Sequence, residues 1–162
     1  MIKLMLAGAL VLFPCAAFAL TDEDLWGTWR LVGAVSKEVD TGATSDAYGR
    51  HPTGFITYGK DHRVMAMASY DDRIKPQNWA ASTPEERAQL FSTFWAYAGT
   101  YKLNGTTVEH HVDTSWNEVW TGTTVIRDVL FKDNQLILTT RPQPRIRDGK
   151  MNVVTLTWEK VN

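Results

Sequence analysis

Short stretches of alternating apolar and polar residues, bounded by Gly, Asn or Asp, recur along most of the chain. Residues 29–35 (WRLVGAV) open the series, with Trp29, Leu31 and Val35 on one face of a strand. Residues 55–60 (FITYGK) come second. A turn over residues 59–62 leads into the third stretch, residues 63–70 (RVMAMASY). Residues 99–103 (GTYKL) and 107–114 (TVEHHVDT) flank Asn104-Gly105, a strong signal for a two-residue hairpin. Residues 122–131 (GTTVIRDVLF), 135–140 (QLILTT) and 152–160 (NVVTLTWEK) complete the set. The last two are entered through the turn signals at 132–134 and 148–149. The pattern predicts eight strands, nearly all joined as a meander.

One segment follows a different period. Thr83-Pro84-Glu85-Glu86 has the marks of a helix start: an N-cap, Pro at the first helical position and Glu three residues after the cap. Leu90, Phe91, Phe94, Trp95 and Ala98 then fall on one face, and Gly99 can end the helix. A helix of about four turns is expected between the third and fourth strands, covering an end or side of the sheet. The fold class that follows is all-β: an eight-stranded antiparallel up-and-down barrel with one inserted helix. Closure removes exposed edges, and a barrel of this size is filled by side chains or holds one small ligand. A β-sandwich is the competing architecture.

The amino terminus changes the picture of the compartment. Lys3, the apolar run at residues 4–13 and the Ala17-Phe18-Ala19 site read as a signal peptide over residues 1–19, with a single domain over residues 20–162. The apolar run breaks at Pro14 and is short for a membrane span. The expectation is a periplasmic or secreted protein. Cys15 raises lipidation as an alternative, although Pro14 before it fits poorly. Cleavage after Ala19 removes Cys15, the single cysteine, so no disulfide or thiolate site remains. The chain has 162 residues, 44% of them hydrophobic and 22% charged, which excludes a disordered chain. A net charge of −1 leaves no basic excess for nucleic acid.

Gly27-Thr28-Trp29 opens the first strand with a Gly-x-Trp motif. With it come YGRHPTGFITYGKDHRVMA (residues 48–66), YAGTYKLNGTTVEHHVDTS (97–115), WTGTTVIR (120–127) and LTWEK (156–160). In order and spacing these pieces resemble the bacterial and fungal lipocalin-like domain family, over about residues 25–160. The resemblance implies an eight-stranded barrel with a cavity open at one end. In the wider lipocalin group such cavities bind small hydrophobic molecules, and some biosynthetic relatives catalyse cyclisations or isomerisations. Typical lipocalins carry their helix after the last strand, whereas here it precedes the fourth.

Strand parity selects the candidate site. Val108, His110 and Val112 share the apolar face, so His110 is expected to point inward and His111 outward. His110 is then a ligand partner, a general acid or base, or a satisfied core histidine. Arg127 shares a face with Thr123, Val125, Val129 and Phe131. It is either an anchor for a ligand carboxylate or carbonyl, or it closes the barrel end, stacked on Trp29 or paired with an acid. Tyr58, Phe94, Trp95, Tyr97 and Tyr101 are candidates for the cavity wall, and Trp116 and Trp120 for its mouth. Trp29 and Trp158 suit plain core packing. For Met65 and Met67, opposite Val64, Ala66 and Ala68, the inward face is not decided by the pattern. No metal site is indicated: Glu109 and His111 do not make a ligand set, and His51 and His62 fall in turns. No nucleotide loop, nucleophile elbow or other cofactor motif is present, so no cofactor is implied.

The leading expectation is an exported barrel that binds a small apolar or aromatic molecule with a polar head. One alternative is an isomerase or cyclase using His110 and Arg127. The other is an envelope protein with a filled barrel and a functional outer surface.

Overall fold

The structure is a computed structural model and describes residues 20–78, 80–145 and 148–161. The expected leader, residues 1–19, lies outside the described residues. A single-turn helix α1 (Asp22–Leu25) leads into β1 (Gly27–Glu38), β2 (Thr44–Asp46), β3 (Thr53–Tyr58) and β4 (Arg63–Ser69). Helix α2 (Pro84–Ser92) precedes β5 (Phe94–Asn104) and β6 (Thr107–Ser115). A 3-10 turn at Glu118–Trp120 leads to β7 (Thr124–Lys132), β8 (Gln135–Thr140), β9 (Gln143–Pro144) and β10 (Met151–Lys160).

Eight strands form a closed antiparallel barrel in the order β1-β3-β4-β5-β6-β7-β8-β10, and β10 pairs back onto β1. The two short strands, β2 on β1 and β9 on β10, extend the wall at one end. Alternation works as the sequence implies: β10 buries Asn152, Val154, Leu156 and Trp158 and leaves the intervening residues partly exposed. β4 decides the methionine question. Val64, Ala66 and Ala68 face inward, and Met65 and Met67 stand outside.

Two expectations change. In β1 the register slips between Leu31 and Gly33, a bulge that reverses parity. Ala34 and Ser36 therefore face the core, and Val35 is 46% exposed rather than inward. The helix is also shorter than its apolar spacing suggests. Thr83 caps it, accepting from the Glu86 N–H while the Glu86 carboxylate accepts from the Thr83 N–H, but it ends at Ser92 and buries no residue. Phe94, Trp95 and Ala98 belong to β5, where Trp95, Tyr97, Gly99 and Tyr101 face inward. Nine residues at a helical spacing cannot outweigh a ladder with β4 on one side and β6 on the other. Gly99, expected as the helix stop, instead sits at a bulge in β5, where an added Cβ would lie 1.8 Å from the His111 carbonyl oxygen.

One end of the barrel is shut. Leu25 is fully buried beneath it, and the Trp29 indole N–H donates to the Leu25 carbonyl at 2.7 Å. Trp26 donates to the Tyr101 hydroxyl, which donates to the Gly59 carbonyl. Trp29 packs edge-on against Phe131, and Lys160 lies over its ring. Trp29 and Trp158 are core residues, as their strand positions imply.

Candidate functional site

At the opposite end the strands open around a small pocket of about 90 Å3. Ser36 from β1, Trp95 from β5, and Asn152 and Val154 from β10 form its inner wall. Tyr48, Tyr70, Phe94, Trp116 and Trp120 supply rings around it. Tyr48 and Tyr70 pack at 4.8 Å between centroids, and Tyr48 lies 6.1 Å from Trp95. Trp116 and Trp120 meet edge to face at 4.9 Å, and Trp120 leans on Tyr97 at 6.0 Å. The Trp116 indole N–H donates to the Phe91 carbonyl, which ties the 3-10 turn region to α2. Asp46 and Arg145 stand at the rim, and Arg145 is paired with Asp148.

Two buried polar atoms of this wall lack a hydrogen-bond partner. They are the Trp95 indole N–H and the Asn152 Oδ1. Asn152 uses its amide group on Ser36 at 2.8 Å, while the Trp95 N–H faces Tyr48 without reaching hydrogen-bond geometry. A buried polar atom left unpaired is costly, so a wall that carries two is suited to a partner that supplies them.

Deeper in the barrel lies a polar thread. His110, fully buried on β6, meets the Tyr58 hydroxyl through Nε2 at 2.9 Å and the Tyr97 hydroxyl through Nδ1 at 2.7 Å. Arg127, on β7 and also buried, lies close enough for its positive charge to act on Tyr97. Burial, aided by the nearby Arg127 charge, pushes the His110 pKa down to about 3, so the ring is neutral. Burial likewise raises Tyr58 and Tyr97, which stay protonated.

The candidates expected from sequence therefore separate by depth. Phe94, Trp95, Trp116 and Trp120 meet at the pocket. Tyr97 bridges it to the thread through Trp120, Trp95 and His110. Tyr58 and His110 sit below, sealed from solvent, and Tyr101 lies at the shut end. Arg127 is inward as expected, but it neither stacks on Trp29 nor pairs with an acid. Lys160 takes the Trp29 face, and among the described residues no carboxylate forms an ion pair with Arg127. Sequence reasoning missed Ser36, Tyr48, Tyr70 and Asn152. Ser36 was hidden by the bulge, and Tyr48 lies outside the strands, where alternation carries no signal. Asn152 and Tyr70 were findable, the first in phase with Val154, Leu156 and Trp158, the second with Val64, Ala66 and Ala68.

The family model of the lipocalin-like domain matches residues 26–161, the whole of the barrel. The chain belongs to the lipocalin-like domain family. Among solved structures it is similar to a lipocalin-like protein from Bacteroides uniformis ATCC 8492, at 15% identity and a TM-score of 0.45, over 85% of this chain and 99% of that one. No curated protein matches it. Lipocalin-like barrels are binding-type scaffolds, and in this member the open end is the one lined with rings. Among the described residues, no helix is long and apolar enough to cross a membrane, and no cluster of His, Cys, Asp or Glu is arranged to hold a metal.

Proposed function

We propose that this lipocalin-like protein is exported and binds a small aromatic molecule at the open end of its barrel. The observation that carries the reading is the ring-lined pocket whose wall leaves a buried donor and a buried acceptor unpaired. The pocket is smaller than the ~150 Å3 apolar cavity that admits benzene. A ligand of two rings therefore enters with displacement of Trp116 and Trp120, which stand on and beside a short turn between strands. The signal-peptide features of residues 1–19 support export.

The test is titration with a neutral two-ring probe, 2-naphthylmethanol, read by tryptophan fluorescence. Binding that weakens about tenfold in Trp120→Ala and in the pocket-filling Val154→Phe supports the reading. Binding unchanged in both rejects it.

A second reading, in which the outer surface is the working part, has one observation in its favour. Met65 and Met67 are 57% and 45% exposed, beside Ala96 and Ala98 on the outside of the barrel, and form a shallow apolar depression. If Met65→Ser weakens the probe and the pocket variants do not, this reading replaces the first. The enzyme alternative draws no comparable support, because both His110 nitrogens are occupied by phenols and the ring is sealed.

A further inference from the structure

Arg127 is a buried cation for which the described residues provide no counter-anion. The carboxylate nearest along its strand, Asp128, is directed outward and paired with Arg141 at 2.8 Å. The Arg127 charge is felt instead by neutral groups: Tyr48, Tyr58, Tyr97 and His110. A desolvated guanidinium with no carboxylate paired to it is a poor structural element and a good receptor for an anion.

The barrel wall is open beside it. The ladder between β7 and β8 runs from the Lys132–Gln135 pair up to Arg127–Thr140 and stops there. Above that point, residues 124–126 of β7 pair only with β6. The chain after Thr140 turns away to form β9 against β10. The seam left between them is a depression of about 300 Å3 lined by residues 123–127, Arg141, Pro142 and Gln143. It shares Trp120 and Gln143 with the ring-lined pocket, and Arg127 lines the seam next to these shared residues. The unpartnered Trp95 N–H is a second donor on the same side, since Trp95 stacks on Tyr97, a ring on which the Arg127 charge acts.

We infer that the ligand is an aromatic carboxylic acid, its rings against Trp95 and Trp120 and its carboxylate received by Arg127 and the Trp95 N–H. This rests on the pocket reading above and adds the charge of the ligand to it. The rim carboxylate of Asp46 is exposed, whereas Arg127 is desolvated, so the buried cation outweighs it.

The experiment compares 2-naphthoate with its neutral analogue 2-naphthylmethanol on the full chain at pH 7.5 by isothermal titration calorimetry. At least tenfold tighter binding of the acid is expected. Arg127→Met is expected to erase that preference while leaving the alcohol bound, and Arg145→Gln at the rim to keep it. Equal binding of acid and alcohol by the native chain overturns the inference and leaves the pocket reading standing. Binding of neither overturns both. A preference that survives Arg127→Met, or is lost in Arg145→Gln, also overturns it. Should Arg127→Met fail to fold, Arg127→Lys decides. It keeps the charge without the planar fork, so a severalfold loss of preference supports the inference and an unchanged preference overturns it.

Discussion

His110 shows how a single position can be legible in direction and illegible in role. Its neighbours Val108 and Val112 set it inward by parity, and it is inward. Whether it is a free base or a bound core residue depends on Tyr58 and Tyr97, which come from strands 52 and 13 residues away in sequence. Their phenols occupy both ring nitrogens, while burial and the Arg127 charge keep the ring neutral. The consequence for pH follows from linkage. In the unfolded chain His110 protonates near its ordinary value, whereas in the fold its pKa is about 3. Between those values the unfolded state binds the extra proton, so stability is full above about pH 6.5 and falls as pH drops. The maximal slope is about 1.4 kcal/mol per pH unit. Urea unfolding between pH 7 and 5 is expected to show this loss, and His110→Gln to flatten it. Asp71 and Glu38, whose pKa values are held down by backbone and Lys150 hydrogen bonds respectively, act only at lower pH. An unchanged slope in the variant would mean that another group controls acid sensitivity.

At the scale of elements, β5 and α2 mark where local pattern misleads. The cap at Thr83 and Pro84 was readable because capping is chemistry among neighbours. The end of the helix was not readable, because Phe94, Trp95 and Ala98 satisfy a helical face and a strand face at once. The ladders with β4 and β6 decide it, and they close only in the folded barrel. Gly99 carries the cost of that arrangement. The bulge there brings the His111 carbonyl where a side chain would start, so Gly99→Ala must push two strands apart. We expect a loss of about 2–3 kcal/mol, the upper part of the overpacking range, measured by chemical denaturation. Gly105→Ala, at a hairpin position with open space, serves as the comparison and is expected to cost about 1 kcal/mol from its positive φ alone. Equal costs for the two would show that the close approach at Gly99 is not what requires glycine.

For the whole molecule, closure is the organising fact. β10 pairs with β1 along nine register positions and with β8 along five, joining the two ends of the chain. Removing residues 151–162 leaves β1 and β8 as open edges and takes Trp158, Leu156 and Val154 out of the core. The truncated chain is expected to lose cooperative unfolding by circular dichroism and to associate on gel filtration. A monomer with a sharp transition would show that the remaining seven strands suffice. Such long-range pairing also predicts folding on the millisecond-to-second scale.

The sequence by itself determined the strand count of the barrel, its meander order, the core place of Trp158, the start of α2 and the inward direction of His110 and Arg127. All of these follow from period, capping or turn chemistry, which act between residues a few positions apart. Tertiary structure decided the parity of β1 beyond its bulge, the end of α2, the neutral state of His110, the burial of Arg127 without a counter-anion among the described residues and the meeting of Tyr48, Trp95, Trp120 and Asn152 at one mouth. Each of these is a relation between strands distant in sequence, fixed only when the ladder closes and water is excluded from what it encloses.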